Sequence, residues 1–274
     1  MKAKAILIFF LFSGLNLALR SAPQFHPEDL DKRPFWEDFL RTAKILKSEN
    51  IGEGVTKPKR LFLKKGEVEA MAVWKRPTGT DAELFDKWQC EIAAYRLDKL
   101  LGVNMVPPTV ERRFRMYSGS LQLWVELPMS ERTMVNDKIP VPAEKVDHYE
   151  KMRDLQRAFD SLIGNSDRSL QNLRYTPEWR MILIDHSRSF RDIYPYVDRL
   201  IYGKNGFQTT AGFSRLPRDF VEKVRTLKYE MIRNAVEDYL TDSEIKAIMV
   251  RKGLLLKEID ETIKERGEAA VLYD

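Results

Sequence analysis

The chain has 274 residues, of which 43% are hydrophobic and 11% are aromatic. This length and composition suit one two-lobed domain or two small ones with a buried core, and they exclude a disordered or fibrous protein. The 46 lysines and arginines against 41 aspartates and glutamates give a net charge of +5. Because both signs are interspersed along the chain, we expect a solvated surface and no nucleic-acid partner. The single cysteine, Cys90, excludes an internal disulfide, and the Cys/His spacing typical of zinc sites is absent.

The N-terminus has the pattern of an export signal. Lys2 and Lys4 precede an apolar run over residues 5–19, and small residues follow it. The pattern predicts a secretory signal over residues 1–22, which is too short to span a bilayer comfortably. We therefore expect an extracytoplasmic location, secreted, periplasmic or in a secretory lumen, with no stable membrane span after cleavage. An uncleaved N-terminal anchor is the alternative, since Arg20 and Pro23 make a poor cleavage site.

Residues 23–50 are expected to form a helical extension, with a helix over residues 36–46. Gly52 and Gly54 then form a glycine-containing turn ahead of two short apolar strands, residues 61–63 and 68–74. A Gly-x-Gly sequence before a strand lets backbone amides approach phosphates. The basic stretch over residues 57–65 either faces phosphate or keeps an exposed strand edge soluble.

Lys75 and Glu91 form a candidate ion pair. Lys75 closes the predicted strand over residues 68–74, and a lysine at a strand end is more often a solvated cap. The next helix is expected over residues 80–101, opened by a capping box at Thr80 and ended by Gly102. Glu91 falls in the middle of its apolar face, and burial of an unpaired charge costs several kcal/mol. Either Glu91 is partly exposed or it meets a cation, for which Lys75 is the natural candidate.

Two more strands are expected at residues 105–110 and 121–126, separated by a turn at residues 117–120. Residues 126–129 would then link two lobes as a hinge. The polar segment over residues 130–144 is interpreted as a linker, either a mobile lid or a surface excursion.

The middle of the chain carries the most informative spacing. A helix over residues 147–163 leads to a loop with Asp167, and Asp160 near the end of that helix is expected to be solvated. Asn172 follows Asp167 by five positions, and a hairpin over residues 173–184 leads to Asp185. In phosphoryl transfer, an Asp that accepts a hydroxyl proton, an Asn five positions on and a later strand-end Asp form one centre with bound metal. The alternative interpretation makes the first two residues loop caps and the last a strand terminator.

Three blocks carry a resemblance to a known family. They comprise residues 91–98 with Gly102 and 106–107, residues 163–172, and residues 184–187. These blocks resemble the atypical kinases, which include the phosphatidylinositol 3- and 4-kinases, the HipA-type bacterial kinases and the Golgi secretory-pathway kinases. The resemblance implies an α+β, bilobal protein-kinase-like fold. Its N-lobe, residues 51–129, would be an antiparallel sheet with one helix, and its C-lobe, residues 130–274, mainly helical.

The resemblance also implies roles for individual residues, with ATP and Mg²⁺ or Mn²⁺ as cofactors. The catalytic set would be Asp167, Lys75 and Glu91, the metal ligands Asn172 and Asp185, and the nucleotide-binding set Gly52, Gly54, Lys75, Glu126 and Met129. Two departures stand out: Ser169 replaces a histidine of phosphoinositide kinases, and His186-Ser187 replaces the glycine that often follows the metal aspartate.

The implied activity moves the γ-phosphoryl group of ATP to a hydroxyl of a protein, lipid or small molecule. Two alternatives stay open: transfer of AMP to a protein, and a non-catalytic nucleotide-binding scaffold.

The C-terminal third is predicted to be helical. The helices are expected over residues 217–240, over residues 245–250 after a capping box at Thr241 to Glu244, and near residues 256–266. Residues 190–213 are expected to be a loop, either an activation segment or substrate platform or an irregular structural connection.

Overall fold

The computed structural model describes residues 27–52, 57–77, 86–126, 129–209 and 212–274. The predicted export signal, Gly54 and the predicted capping box at residues 80–83 lie outside these ranges. Within them, no helix is both long enough and apolar enough to cross a membrane.

The N-terminal lobe is a five-stranded antiparallel sheet with two α-helices. After a 3₁₀ turn (Pro27–Lys32), its elements are α1 (Arg33–Thr42), β1 (Lys44–Asn50), β2 (Lys59–Lys65), β3 (Val68–Lys75), α2 (Trp88–Leu101), β4 (Thr109–Phe114) and β5 (Tyr117–Leu123). The strand order is β1-β2-β3-β5-β4, and every pairing is antiparallel.

The first helix is shorter than predicted, and the sheet begins earlier. The helix expected over residues 36–46 ends at Thr42, because Ala43 leaves the helical conformation with ψ 143°. Residues 44–50, assigned to a helical extension, pair with β2 instead, and Leu46 is 50% exposed. The hydrogen bonds of the neighbouring strand outweigh the local helical pattern here.

The two faces of the sheet have different roles. Phe39 and Leu40 of α1 pack on one face against Leu61, Ala72 and Leu121. Because successive side chains of a strand point to opposite faces, the residues beside these core positions face away from α1. One face is thereby closed by α1, and the other is free to form the wall of a cleft between the lobes.

The hairpin between β4 and β5 also differs from the prediction. The turn lies at Arg115 and Met116, where Arg115 has φ 56°, and Phe114 pairs with Tyr117. Residues 117–120, predicted to be the turn, belong to strand β5. A two-residue hairpin needs positive φ at its first position, and Arg115 adopts it without being a glycine.

Helix α2 ends at Gly102 as predicted but begins at Trp88, later than the predicted residue 80, because Lys87 is extended with ψ 128°. Gly102 has φ 70°, and its N–H donates to the Asp98 carbonyl. Strand β6 (Met129–Ser130) comes after β5. The segment over residues 130–144, predicted to be a linker, contains helix α3 (Glu131–Asp137). The Ser130 hydroxyl caps α3 by accepting from the Thr133 N–H at 3.1 Å.

The C-terminal lobe is mainly helical. It contains α4 (Val146–Ile163), the strands β7 (Leu173–Tyr175), β8 (Met181–Leu183) and β9 (Leu216–Pro217), the helices α5 (Arg218–Thr226), α6 (Tyr229–Val236), α7 (Asp242–Arg266) and α8 (Glu268–Val271), and β10 (Leu272–Tyr273). Its core joins α2 to α4 and α7 through buried residues such as Leu97, Phe159 and Ile248.

Two helix predictions in this lobe need correction. The helix expected over residues 217–240 is two helices, because Leu227 takes an extended conformation with ψ 121° between α5 and α6. The helices expected over residues 245–250 and 256–266 are one, because Gly253 interrupts the sequence pattern but not α7. The capping box at Thr241 and Glu244 is present, and the described residues of the 190–213 segment form no helix.

Candidate active site

A cavity of about 440 Å³ lies between the two lobes. Its apolar walls include Val73 of β3, Leu123 and Val125 at the end of β5, and Ile51 and Ile184. This volume is within the range of small-ligand sites, which combine apolar walls with a few polar groups. The polar groups here include Lys75, Asn172 and Asp185, so the cavity contains three of the residues that the sequence singled out.

Lys75 contacts two carboxylates inside this cavity. Its Nζ lies 2.7 Å from Glu91 Oε1 and 2.8 Å from Asp185 Oδ1. The ion pair that the position of Glu91 predicted is therefore present, and Asp185 joins it from the other lobe. Burial disfavours the charged ammonium, but the two carboxylates outweigh it and hold the pKa of Lys75 above its ordinary value.

Glu91 links three segments of the chain. Its side chain is 3% exposed, and its second oxygen, Oε2, accepts from the backbone N–H of His186 at 3.0 Å. Burial alone would raise its pKa, yet Lys75 and His186 lower the pKa below the ordinary range. An ionised Glu91 therefore fixes α2 to both β3 and the segment after β8.

Asp160 is buried, and the expectation that it is solvated is wrong. Its side chain is fully buried, and its carboxylate accepts from Arg168 Nε at 2.8 Å and Nη2 at 2.9 Å. Asn165 and Gln156 donate to it as well. Although burial raises the pKa of Asp160, the Arg168 guanidinium more than offsets it and lowers the pKa below its ordinary value. A carboxylate in the last turn of a helix is disfavoured by the helix dipole. The position of Asp160 in the sequence could therefore have indicated that it needs a cation partner.

Arg168 holds the two candidate metal-binding segments together. Its side chain is 1% exposed. Its Nη1 donates to the Ile184 carbonyl at 2.6 Å and to the Asn172 carbonyl at 3.4 Å. The Ile184 N–H also donates to the Asn172 carbonyl at 3.2 Å. The β7–β8 hairpin and this arginine thus bring residues 172 and 185 to one place, as the predicted hairpin requires.

Asp185 has a left-handed backbone, with φ 62°. Such a conformation is uncommon for a residue other than glycine, although aspartate tolerates it better than most. Backbone strain of this kind concentrates at functional sites, where surrounding structure maintains it. Here Lys75 Nζ donates to the carboxylate at 2.8 Å, and Ser187 Oγ lies 3.3 Å from it.

Asp167 lies at the open side of the site. Its side chain is 52% exposed, and Arg188 Nη1 lies 3.1 Å from its Oδ2. Partial burial raises the pKa of Asp167, Arg188 opposes this, and the neighbouring Asp185 and Asp86 reinforce it, so the pKa lies above the ordinary value. An exposed carboxylate with a raised pKa is chemically suited to accept a proton from an approaching hydroxyl.

The remaining predicted nucleotide contacts lie at the border of the cavity. Gly52 has φ 76°, a conformation that favours glycine, and follows the cavity residue Ile51. Glu126 is exposed, and Met129 is half-buried in β6. The cavity wall is formed by their neighbours, Val125 and Ser130.

The site offers oxygen ligands for a metal ion. Within the described ranges, no group of three or more His, Cys, Asp or Glu side chains is arranged to hold a metal. The side-chain oxygens that line the cavity include the Asn172 amide and the Asp185 carboxylate. Mg²⁺ is commonly held by one or two protein oxygens together with phosphates of a substrate, so this donor set fits Mg²⁺ or Mn²⁺ in the presence of a nucleotide.

Sequence reasoning missed Arg188 and Asp86. Arg188 Nε lies 3.3 Å from Asp86 Oδ1, and Asp86 also accepts from the Ser187 hydroxyl at 2.6 Å. Asp86 is 6% exposed and lies two residues before the start of α2. No periodicity or spacing pairs these residues, which are 102 positions apart.

No family model matches the chain, and no curated protein sequence matches it. Solved protein structures are similar to it in fold. The structure of hydra Fam20 with sugar has a TM-score of 0.63 at 18% identity and covers 86% of this chain and 90% of that one. The Golgi casein kinase, whose solved structures include one with Mn/ADP bound, has a TM-score of 0.61 at 15% identity and covers 88% of this chain and 78% of that one.

A Helicobacter pylori proinflammatory kinase, CtkA, is also similar, with a TM-score of 0.50 at 11% identity over 86% of this chain and 99% of that one. At these identities the likeness is one of fold. The α+β, bilobal architecture predicted from the three sequence blocks is confirmed: the chain has an atypical protein-kinase-like fold.

Proposed function

We propose that the protein is an ATP-dependent phosphotransferase that moves the γ-phosphoryl group of ATP to a hydroxyl group. The observation that carries the proposal is the contact of Lys75 with both Glu91 and Asp185, at 2.7 and 2.8 Å, in the cavity that Asn172 also lines. A strand lysine paired with a helix glutamate, beside a metal-binding aspartate, is the arrangement that kinases need.

Nucleotide binding follows from the two sides of the cavity. The apolar wall of Val73, Leu123 and Ile184 suits a flat base, and Lys75 supplies the cation for phosphates. Gly52 and Gly54 would lie over the phosphates, and the hinge between Glu126 and Met129 would bind the base through backbone groups.

Asn172 and Asp185 would hold the metal ion, and Mg²⁺ or Mn²⁺, when bound, supplies charge neutralisation at the phosphates. Asp167 accepts the proton of the acceptor hydroxyl. The acceptor oxygen then bonds to the γ-phosphorus, and the bond from phosphorus to the bridging oxygen breaks, with its electron pair leaving on ADP. Catalysis therefore depends on positioning and on charge.

We propose further that the protein acts outside the cytoplasm, on the basis of the apolar run at residues 5–19. The name of one similar structure, the Golgi casein kinase, includes a secretory compartment and a protein substrate. This supports protein hydroxyls as the first acceptor class to test, ahead of lipids and small molecules.

The test uses the protein from residue 23 onward, incubated with γ-labelled ATP and Mg²⁺ or Mn²⁺, beside Asp167→Ala and Asp185→Ala variants. We expect label on the protein or on an added acceptor, lost in both variants and after chelation with EDTA. Asp167→Ala should retain a wild-type melting temperature, because residue 167 is exposed. Asp185→Ala should remain folded with a small fall in melting temperature, because residue 185 pairs with Lys75 and has φ 62°.

Other outcomes have defined meanings. Normal transfer by Asp185→Ala would contradict the proposal. Mass spectrometry that finds an added AMP in place of phosphate would identify AMP transfer. Thermal stabilisation by nucleotide without any transfer would identify a nucleotide-binding scaffold.

A further inference from the structure

The Arg188 guanidinium bridges the candidate base and a carboxylate of the N-terminal lobe. Its Nη1 lies 3.1 Å from Asp167 Oδ2, while its Nε and Nη2 lie 3.3 Å from the oxygens of Asp86. Its side chain is 25% exposed and stands three residues after Asp185. A single cation therefore occupies the carboxylate that the proposed reaction needs free.

Arg188 is held more loosely than the other cations of the site. Lys75 contacts its carboxylates at 2.7 and 2.8 Å, and Arg168 contacts Asp160 at 2.8 and 2.9 Å. The four contacts of Arg188 with Asp86 and Asp167 are 3.1 to 3.3 Å long, beyond the 2.7–2.9 Å typical of charge-assisted bonds. Its partner Asp86 has a shorter bond, at 2.6 Å, to the Ser187 hydroxyl. Among these three cations, Arg188 thus has the longest contacts and the most exposed side chain, at 25% against 15% for Lys75 and 1% for Arg168, so it is the one best placed to exchange partners.

The three carboxylates near Arg188 repel a phosphate, so a nucleotide bound beside them needs this cation to offset the repulsion. Asp86, Asp167 and Asp185 place three carboxylates on this side of the site, and the phosphates of a nucleotide add more negative charge. A guanidinium matches phosphate geometry through two parallel N–H donors. Arg188 contacts the Asp167 carboxylate, which would also bind the acceptor hydroxyl. Because the oxygen of that hydroxyl attacks the γ-phosphorus, the γ-phosphoryl group must lie close to Arg188.

We propose that Arg188 binds the γ-phosphoryl group and, in doing so, releases Asp167 to act as the base. The inference rests on the proposed phosphotransferase function and adds a residue to it. The exchange breaks the ion pair of Arg188 with Asp167 and forms one with phosphoryl oxygens. The proton of the acceptor then goes to Asp167, and ADP leaves as described above. Asp86 is a positioning residue that keeps the guanidinium beside the site in both states.

Binding of ADP compared with binding of a non-hydrolysable β,γ-imido analogue of ATP tests this, because the two ligands differ in the γ-phosphoryl group. Isothermal titration with Mg²⁺ present would compare the wild type with Arg188→Gln and Arg188→Lys. Arg225→Gln is the matched control, since Arg225 is exposed on α5 and pairs with Asp260 at the surface.

We expect Arg188→Gln to weaken the analogue by about tenfold to hundredfold, the worth of a hydrogen bond to a charged group. Its affinity for ADP should stay within about twofold of wild type, which also shows that the variant is folded. Its kcat should fall by about 10²- to 10³-fold. Arg188→Lys should recover part of the analogue affinity but less of kcat, because an ammonium lacks the two-pronged geometry. Arg225→Gln should match the wild type for both ligands.

Two results would overturn the inference while leaving the proposed function intact: Arg188→Gln binding both ligands as the wild type does, or weakening both equally. A wild-type protein that binds neither ligand would overturn the inference and the phosphotransferase proposal together.

Discussion

Replacement of Asp160 by alanine should strongly destabilise the protein. The carboxylate is fully buried and accepts four hydrogen bonds, two of them from an Arg168 side chain that is 1% exposed. Asp160→Ala leaves that guanidinium charged and buried, with only main-chain carbonyls as acceptors. Removal of one partner of a buried ion pair costs about 3–5 kcal/mol of unfolding free energy.

Urea denaturation followed by tryptophan fluorescence measures this loss. In a separate thermal melt, a loss of this size should lower the melting temperature by roughly 6–20 °C for a chain of this length. Asp147→Ala is the matched control, because Asp147 also pairs with an arginine, Arg215, but is 61% exposed, and we expect its unfolding free energy to stay close to wild type.

A loss below about 1 kcal/mol for Asp160→Ala would refute the reasoning, since it would place the pair in the range of surface ion pairs. A second readout follows from the contacts of Arg168 with the carbonyls of residues 172 and 184. Even below its unfolding transition, Asp160→Ala should bind Mn²⁺ and nucleotide together more weakly than the wild type.

Three further predictions concern the base, a helix cap and the core. Because the pKa of Asp167 in the free protein lies above its ordinary 3.8 and the base must be ionised, kcat/KM, which reports the free enzyme, should fall as pH drops through a value above 3.8. Since Arg188 lowers that pKa, Arg188→Gln should move this acidic limb to higher pH, and a limb below pH 3.8 would contradict the assignment. Thr241→Ala removes the hydroxyl that accepts from the Glu244 N–H at 3.3 Å and should cost about 1 kcal/mol by urea denaturation, with Thr241→Ser as the conservative control. Leu162→Ala empties a fully buried core position and should cost about 2–5 kcal/mol, whereas a cost under 1 kcal/mol would show that the core of this lobe collapses around the cavity.

Much of the site was accessible from the sequence because its signals are local. The five-residue spacing of Asp167 and Asn172, and the apolar strand that ends at Asp185, are read along the chain. Glu91 was found because helical periodicity put a carboxylate on a buried face, and a buried carboxylate requires a cation. The capping box at Thr241 and the glycine that ends α2 are equally local.

Only the tertiary structure decided which side chains meet. The local sequence of β1 favours a helix, but in the folded protein β1 pairs with β2. The sequence position of Asp160 predicts a solvated side chain, but Arg168 pairs with it in the buried interior. No sequence pattern identifies Arg188, whose partner Asp86 is 102 positions away. Backbone propensity, capping and periodicity act between residues a few positions apart, so the sequence by itself determines them. Which side chain pairs with a buried charge depends on how distant segments pack. Burial of an unpaired charge is costly, but that cost applies only after the lobes have come together.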